Sequence, residues 1–500
     1  MSRHNTAPSP NHLQALQAKH GERYRWLLLV SVMVGTMAAI MSSTVVNVAI
    51  PDLSKHFQLG HDQAQWVTSG FMAASTVTML TTPWMLTRFG FRKTYAICMV
   101  LLLIGSLVGG LSNLYPVVLG ARVLEGLAAG VVQPIPAIII MRAFAPSEQG
   151  RASGLFGMGV VLAPALGPSV GGLLVDGYGW RSIFFMMVPF CLASLWLARR
   201  YVPDTAPGGV AANQGASLDW MGLGLASAGT SCLLLGLVQL QSGTAFEALL
   251  LLCLAALVLI CFVLWQRKRY QQRTPGREPL MNLTLFAHRQ FATGSLVAMI
   301  YGIALFGSTY LLPVYLQEGI GMSASYVGTL MLPAGLILGV VIALGGKLAD
   351  HYPAHRLISL GLLLLALSFA AMALIERSTP LMWLVALTIL GRIGLGLVLP
   401  SLNLGSLRGL PQTLMPQGAS AINFVRMLGG AAGVSLCGVV LQWRLAAHHA
   451  ALHVTGTAST GDTMAAFHES FLMLAGICVL AIVAALNLHN AAPPPLHHET

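Results

Sequence analysis

Long apolar runs separated by short polar segments dominate the chain. A membrane-crossing helix needs about 20 mostly apolar residues. Fourteen runs of roughly that length occur, at 26–48, 66–86, 94–112, 116–140, 153–175, 182–198, 220–240, 246–265, 292–316, 326–348, 356–375, 381–404, 418–442 and 470–488. Runs this long are not barrel strands, which alternate in character over about 10 residues. Backbone in lipid must also satisfy its own hydrogen bonds, so the runs read as helices. Residues 1–25 are polar and lack an apolar core. No cleaved signal peptide is expected, and the first run serves as an uncleaved insertion signal.

The basic residues test the count of runs. Cytoplasmic loops hold the excess of Lys and Arg. If the N-terminus is placed inside and fourteen crossings follow, 20 of the 27 Lys and Arg fall on the inner side. Four (Lys55, Arg181, Arg377 and Arg444) fall outside, and Arg122, Arg392 and Arg426 lie within runs. A miscounted run would spoil this bias, so the pattern predicts both termini cytoplasmic.

Composition agrees: 56% of residues are hydrophobic and 9% charged, against roughly 25% charged in soluble domains. Because the formal net charge of +11 is distributed as topology, it points to anionic lipid rather than nucleic acid. The seven cysteines all sit in apolar runs and read as small core residues, not as a disulfide framework or metal site.

The expected class is an all-α membrane protein. Two long polar inner segments, 199–219 and 266–291, bracket the seventh and eighth runs, which suggests six spans, an inserted pair and six more. The division is a tail at 1–25, six helices in 26–200, linkers with the inserted pair in 201–290, six helices in 291–489, and a tail at 490–500. The halves show weak internal symmetry of the kind transporters have. Short basic turns, LTRFGFRK (86–93) and GGKLADHYPAHR (345–356), follow the second and tenth runs. The fourth and twelfth runs are glycine-dotted and finish near Pro134 and Pro400. Aligned on those prolines, Arg392 stands opposite Gly126.

Of sixteen acids, only Glu125 lies deep in an apolar run. Intramembrane ionisable groups are costly and mark ion pathways or proton relays by default. Arg122, three residues earlier, can share its helical face. The two are either a static pair or a carboxyl that titrates when water or substrate arrives. One deep acid does not balance three arginines, so Arg392 and Arg426 face an aqueous cavity, carbonyls or an anionic ligand group, or else snorkel. Pro164, Gly167, Pro168, Gly171 and Gly172 would give a bent, closely packed helix. Asn47, Gln133, Asn403 and Asn423 either line a cavity or bond a neighbouring helix. Tyr301 and Tyr310 could form an aromatic wall for an amphiphilic substrate. His449 and His453 have i,i+4 spacing, but no Cys or acid completes a metal site. No GxxxxGK[ST], G-x-S-x-G or H-E-x-x-H occurs, so nothing supports ATP-driven transport or these hydrolytic chemistries. No cofactor is expected.

Several elements together resemble the major facilitator superfamily, in particular its 14-span drug:proton antiporters of the EmrB/QacA type. They are STVVNVAIP (43–51), RVLEGLAAG (122–130), APALGPSVGG (163–172), GWRSIFFMMVP (179–189) and NFVRMLGG (423–430), and the resemblance covers about residues 25–490. It implies two six-helix bundles around a cavity, an inserted helix pair, and alternating access driven by proton influx. Pro164, Gly167, Pro168, Gly171 and Gly172 would form the bundle interface. Arg88, Gly90, Arg92, Asp350 and Arg356 would form the gating loops, and Arg122 would be the arginine linked to proton coupling. This chain departs from the pattern at Ser42, where the family has an acid, and at Glu125, where it has an amide. Glu125 is therefore expected to take over the titratable role, and Ser42 to line the substrate cavity.

The reading that follows is a proton-coupled exporter of small amphiphilic compounds in a bacterial inner membrane. The rival is a transporter of an anionic metabolite using Arg392 and Arg426. An enzyme or a non-transporting sensor would need a catalytic constellation or an output domain, and the sequence offers neither. Expected partners are lipid, protons and a small-molecule substrate. Similar exporters can also work with a periplasmic adaptor and an outer-membrane channel.

Overall fold

The computed structural model describes residues 12–59, 61–204, 213, 215–242, 245–272, 276, 278–376, 379–448, 461–486 and 488. Helix is the only regular structure among them. The first half runs α1 (His12–His20), α2 (Tyr24–Phe57), α3 (His61–Thr78), α4 (Thr82–Phe89), α5 (Phe91–Leu111), α6 (Tyr115–Val132), α7 (Ile135–Ala143), α8 (Gln149–Tyr178) and α9 (Ser182–Tyr201). Then come α10 (Trp220–Ser242) and α11 (Ala245–Gln272). The second half runs α12 (Arg289–Val314), α13 (Ala324–His351), α14 (Ala354–Met372), α15 (Leu381–Leu407), α16 (Met415–Ala447) and α17 (Gly461–Leu486).

Among the described residues, twelve helical segments are long and apolar enough to cross a membrane. They match every expected run except the second and fifth. The second place holds α3 and α4, joined by a 3-10 turn at Met79–Thr81, and the fifth holds α8.

The helices outrun the apolar stretches that announce them. α2 continues past residue 48 to Phe57, and α17 starts at Gly461 rather than near 470. Helical hydrogen bonding propagates one residue at a time and does not stop where side chains turn polar. The fourth run is broken between α6 and α7. Pro134 precedes α7 and Pro136 sits in its first turn, where proline removes backbone donors and redirects the helix.

In the first half α2 packs on α8 and α9, α3 on α6, and α5 on α6 and α9. In the second, α12 packs on α16, and α14 on α15 and α17. α10 and α11 pack on each other; α10 also meets α16 and α3, and α11 meets the turn at Leu283–Ala287. Their linker is pinned by Asp219, 3% exposed, which accepts from Trp265 Nε1 (2.9 Å), Gln266 Nε2 (2.9 Å) and the Gly222 amide (3.0 Å).

The halves meet mainly where α8 lies along α13, with smaller contacts from α16 to α4 and α7 and from α15 to α7 and α8. Along α8 and α13 the close approaches span Gly150 to Leu162 and Gly339 to Asp350. This is the face that carries the Lys and Arg excess. At the other end of α8, Leu173 is 76% and Tyr178 80% exposed. The close contacts between the halves gather at the basic face.

Candidate functional site

In the first half a polar knot joins α2, α5 and α6. Glu125 is fully buried and Arg122 is 2% exposed. Placed three residues apart on α6, they form a direct ion pair between Arg122 NH1 and Glu125 Oε2. Ser42 Oγ of α2 donates to the same carboxylate oxygen (3.1 Å), and Ser106 Oγ of α5 donates to the other (2.8 Å). Arg122 NH1 donates to Ser42 Oγ (2.7 Å) and NH2 to the Ser42 carbonyl (3.1 Å). Its guanidinium also lies 4.4 Å from the centre of the Phe71 ring. Every charge in the knot is therefore matched, as burial in lipid demands.

The knot borders a small pocket lined also by Val45, Val46, Phe184 and Met187. Ser42 lies within hydrogen-bond distance of the Glu125 carboxylate. Sequence reasoning singled out Glu125 and Arg122. It missed Ser106 and Phe71, since a serine or phenylalanine in an apolar run carries no signal of its partner.

The second half holds the other two arginines. Arg426 NH2 donates to Asn423 Oδ1 (2.6 Å), and Asn423 in turn donates to the Ala419 carbonyl (2.8 Å). Arg392 is 9% exposed and has no hydrogen bond or ion pair among the described residues. Tyr301 is buried on α12, 1% exposed. Arg392 lines a small pocket between α12, α14 and α15.

The remaining expected residues fall elsewhere. Asn47 is exposed and accepts from Thr68 Oγ1 (2.8 Å), tying α2 to α3. Gln133 stands half-buried at the α6–α7 break, and Tyr310 is half-buried on α12. Asn403 lines a pocket with Ile140 and Phe156 at the junction of the halves.

The glycine- and proline-rich segment of α8 differs from its expected place at the bundle interface. Gly167 abuts Thr44 and Val45, and Gly171 abuts Val45, all on α2 of the same half. Gly172 also faces α2, at Val48. The side chains of Pro164 and Pro168 lie outside the described residues. The interface between halves uses earlier glycines instead. A side chain at Gly150 or Gly154 would strike the backbone of α13 at Gly346. The sequence shows these glycines, but nothing in it says which neighbour they face.

The two basic turns do different work. Asp350 Oδ1 accepts from the Gly150 amide (2.5 Å) and Oδ2 from the Arg151 amide (2.8 Å), so a carboxylate from the second half caps α8. Arg408 NH2 reaches the Pro146 carbonyl (3.0 Å) and Arg142 NH2 the Gln412 carbonyl (2.7 Å), also across the halves. The first turn holds its own half instead. Gly90, at φ 78°, suits only a residue without Cβ. Arg92 Nε bonds the Val202 carbonyl (2.8 Å) and pairs with Asp204, while Arg88 NH1 bonds the Ala216 carbonyl (3.4 Å). Arg356 is exposed. His449 and His453 lie outside the described residues.

A bundle of apolar helices in two packed halves, closed at one face, with buried charges on inward surfaces, defines a membrane transporter. Residues 32–434 match the family model described as Major Facilitator Superfamily, and the chain belongs to that family. It is 26% identical to the multidrug export protein EmrB of Escherichia coli (strain K12), over 85% of this chain and 82% of that protein. It is 23% identical to the riboflavin transporter RibZ of Clostridioides difficile (strain 630), over 92% of this chain and 97% of that one. In fold it is similar to the human organic anion transporter MFSD10 (TETRAN), with a TM-score of 0.62 at 14% identity, covering 92% of this chain and 99% of that one.

Proposed function

We propose that this chain is a proton-coupled antiporter that exports small amphiphilic compounds by alternating access, in the manner of multidrug efflux. It crosses a bacterial inner membrane fourteen times with both termini cytoplasmic. The observation that carries the reading is the Glu125 carboxylate, buried between Ser42, Ser106 and Arg122 in the middle of an apolar helix. When the outer cleft admits water, a proton on Glu125 breaks its match with Arg122. The freed guanidinium then needs another partner, and the halves rearrange. Asp350 on the α8 amides, with the Gly150, Gly154 and Gly346 approach, forms the closed inner gate in this scheme. The similarity to EmrB supports efflux, and a periplasmic adaptor and outer-membrane channel would complete such a route.

The test is export from everted vesicles under an imposed pH gradient, using a panel of fluorescent amphiphiles. Glu125→Gln keeps the shape and an acceptor for Arg122 but cannot cycle a proton. It is expected to lose gradient-driven export at least tenfold while still binding substrate. Export with an unchanged pH dependence would overturn the coupling role.

A further inference from the structure

The two halves carry charged groups at corresponding positions along α6 and α15. Counted back from Pro134 and Pro400, Arg392 occupies the place of Gly126, next to Glu125. In the first half the cation there has its carboxylate. In the second, Arg392 has no acid or hydrogen-bond acceptor among the described residues and opens on the pocket between α12, α14 and α15.

The pocket's other polar groups cannot donate to a guest. Ser308 Oγ donates to the Leu305 carbonyl (3.0 Å), Ser368 Oγ to the Leu387 carbonyl (2.7 Å) and Thr388 Oγ1 to the Leu384 carbonyl (2.8 Å). The guanidinium is the free donor, and it sits against a wall of Leu312, Phe369 and Met372. A buried arginine left without an anion is costly in a membrane. A carboxylate matches its forked donors.

We propose that this pocket is a substrate subsite that takes the carboxylate of a small, mostly apolar acid on Arg392 and its ring or chain on the apolar wall. This deepens the transport reading by giving the substrate class, amphiphilic monoacids, and it rests on that reading only for the claim that the bound acid is carried.

The experiment measures equilibrium binding to the full chain in lipid nanodiscs, with no gradient. Three probes share one apolar body: naphthylacetate, naphthylethanol and naphthylethylamine. The acid is expected to bind at least tenfold more tightly than the alcohol, and the amine more weakly than either. Arg392→Gln should bring the acid down to the level of the alcohol and leave the alcohol unchanged. Ser308→Leu, which fills the pocket and keeps the charge, should weaken both.

Equal binding of acid and alcohol to the unaltered protein overturns the assignment, and that comparison needs no variant to fold. Preference for the amine, or a retained acid preference in Arg392→Gln, overturns it as well. Because this binding is read with no gradient, a failure of proton coupling in vesicles and a failure of this subsite come from separate measurements.

Discussion

Gly105 on α5 sets the room available to Glu125. A Cβ at that position would lie 2.6 Å from the Glu125 Cγ and 3.0 Å from the Ala121 carbonyl. Overpacking of a well-filled interior costs about 1–3 kcal/mol. Gly105→Ala is therefore expected to lower the thermal midpoint of the purified protein and to disturb the carboxylate's contacts with Ser42 and Ser106. A midpoint equal to that of the unaltered chain would mean that α5 yields freely. At this scale the sequence was most legible where a residue type is costly in lipid. Glu125, Arg122, Arg392 and Arg426 all declared themselves by charge. Their partners did not, because Ser42, Ser106 and Phe71 are ordinary residues in apolar runs and become partners only through the packing of α2, α3 and α5 around α6.

Between helices, the contact of α8 with α13 decides which face is shut. Its inner end joins two devices, backbone approach at glycines and a carboxylate on helix amides. The second is worth about 0.3–1 kcal/mol at an exposed end and up to ~2 kcal/mol when partly buried. The first is steric: a side chain at Gly154 meets the Ala343 carbonyl at 2.9 Å and the Gly346 Cα at 2.9 Å. Gly154→Leu should hold the inner gate apart. Spin labels at the exposed positions Arg151 and Lys347 should then report a longer mean separation than in the unaltered chain, and an unchanged separation would count against the gate. The all-helical fold and twelve of the fourteen runs, in order, followed from apolar length. The ends of α2 and α17 did not, since hydrogen bonding carries a helix beyond its apolar stretch. Nor did the role of the α8 glycines, which are spread from Gly150 to Gly172 with nothing in their spacing to separate those that face α2 from those that face α13.

For the molecule as a whole, the charge pattern along the chain was the most informative signal. It predicts a sidedness, and the contacts between halves gather near the basic turns. How the halves lean on one another was not legible, because that depends on contacts between residues up to 270 positions apart, such as Arg142 with Gln412.

The unmatched cation of the second half also has an electrical consequence. An anion that leaves while one proton enters moves two positive charges inward in each turnover. At about 2.3 kcal/mol per charge for each 100 mV, an inside-negative voltage would add roughly 4.6 kcal/mol to every cycle. Export of an acid would then be electrogenic, drawing on voltage even with no pH difference across the bilayer. Reconstituted protein held at a potassium diffusion potential should pass a current that grows with acid concentration. The neutral alcohol should carry about half the charge per molecule moved.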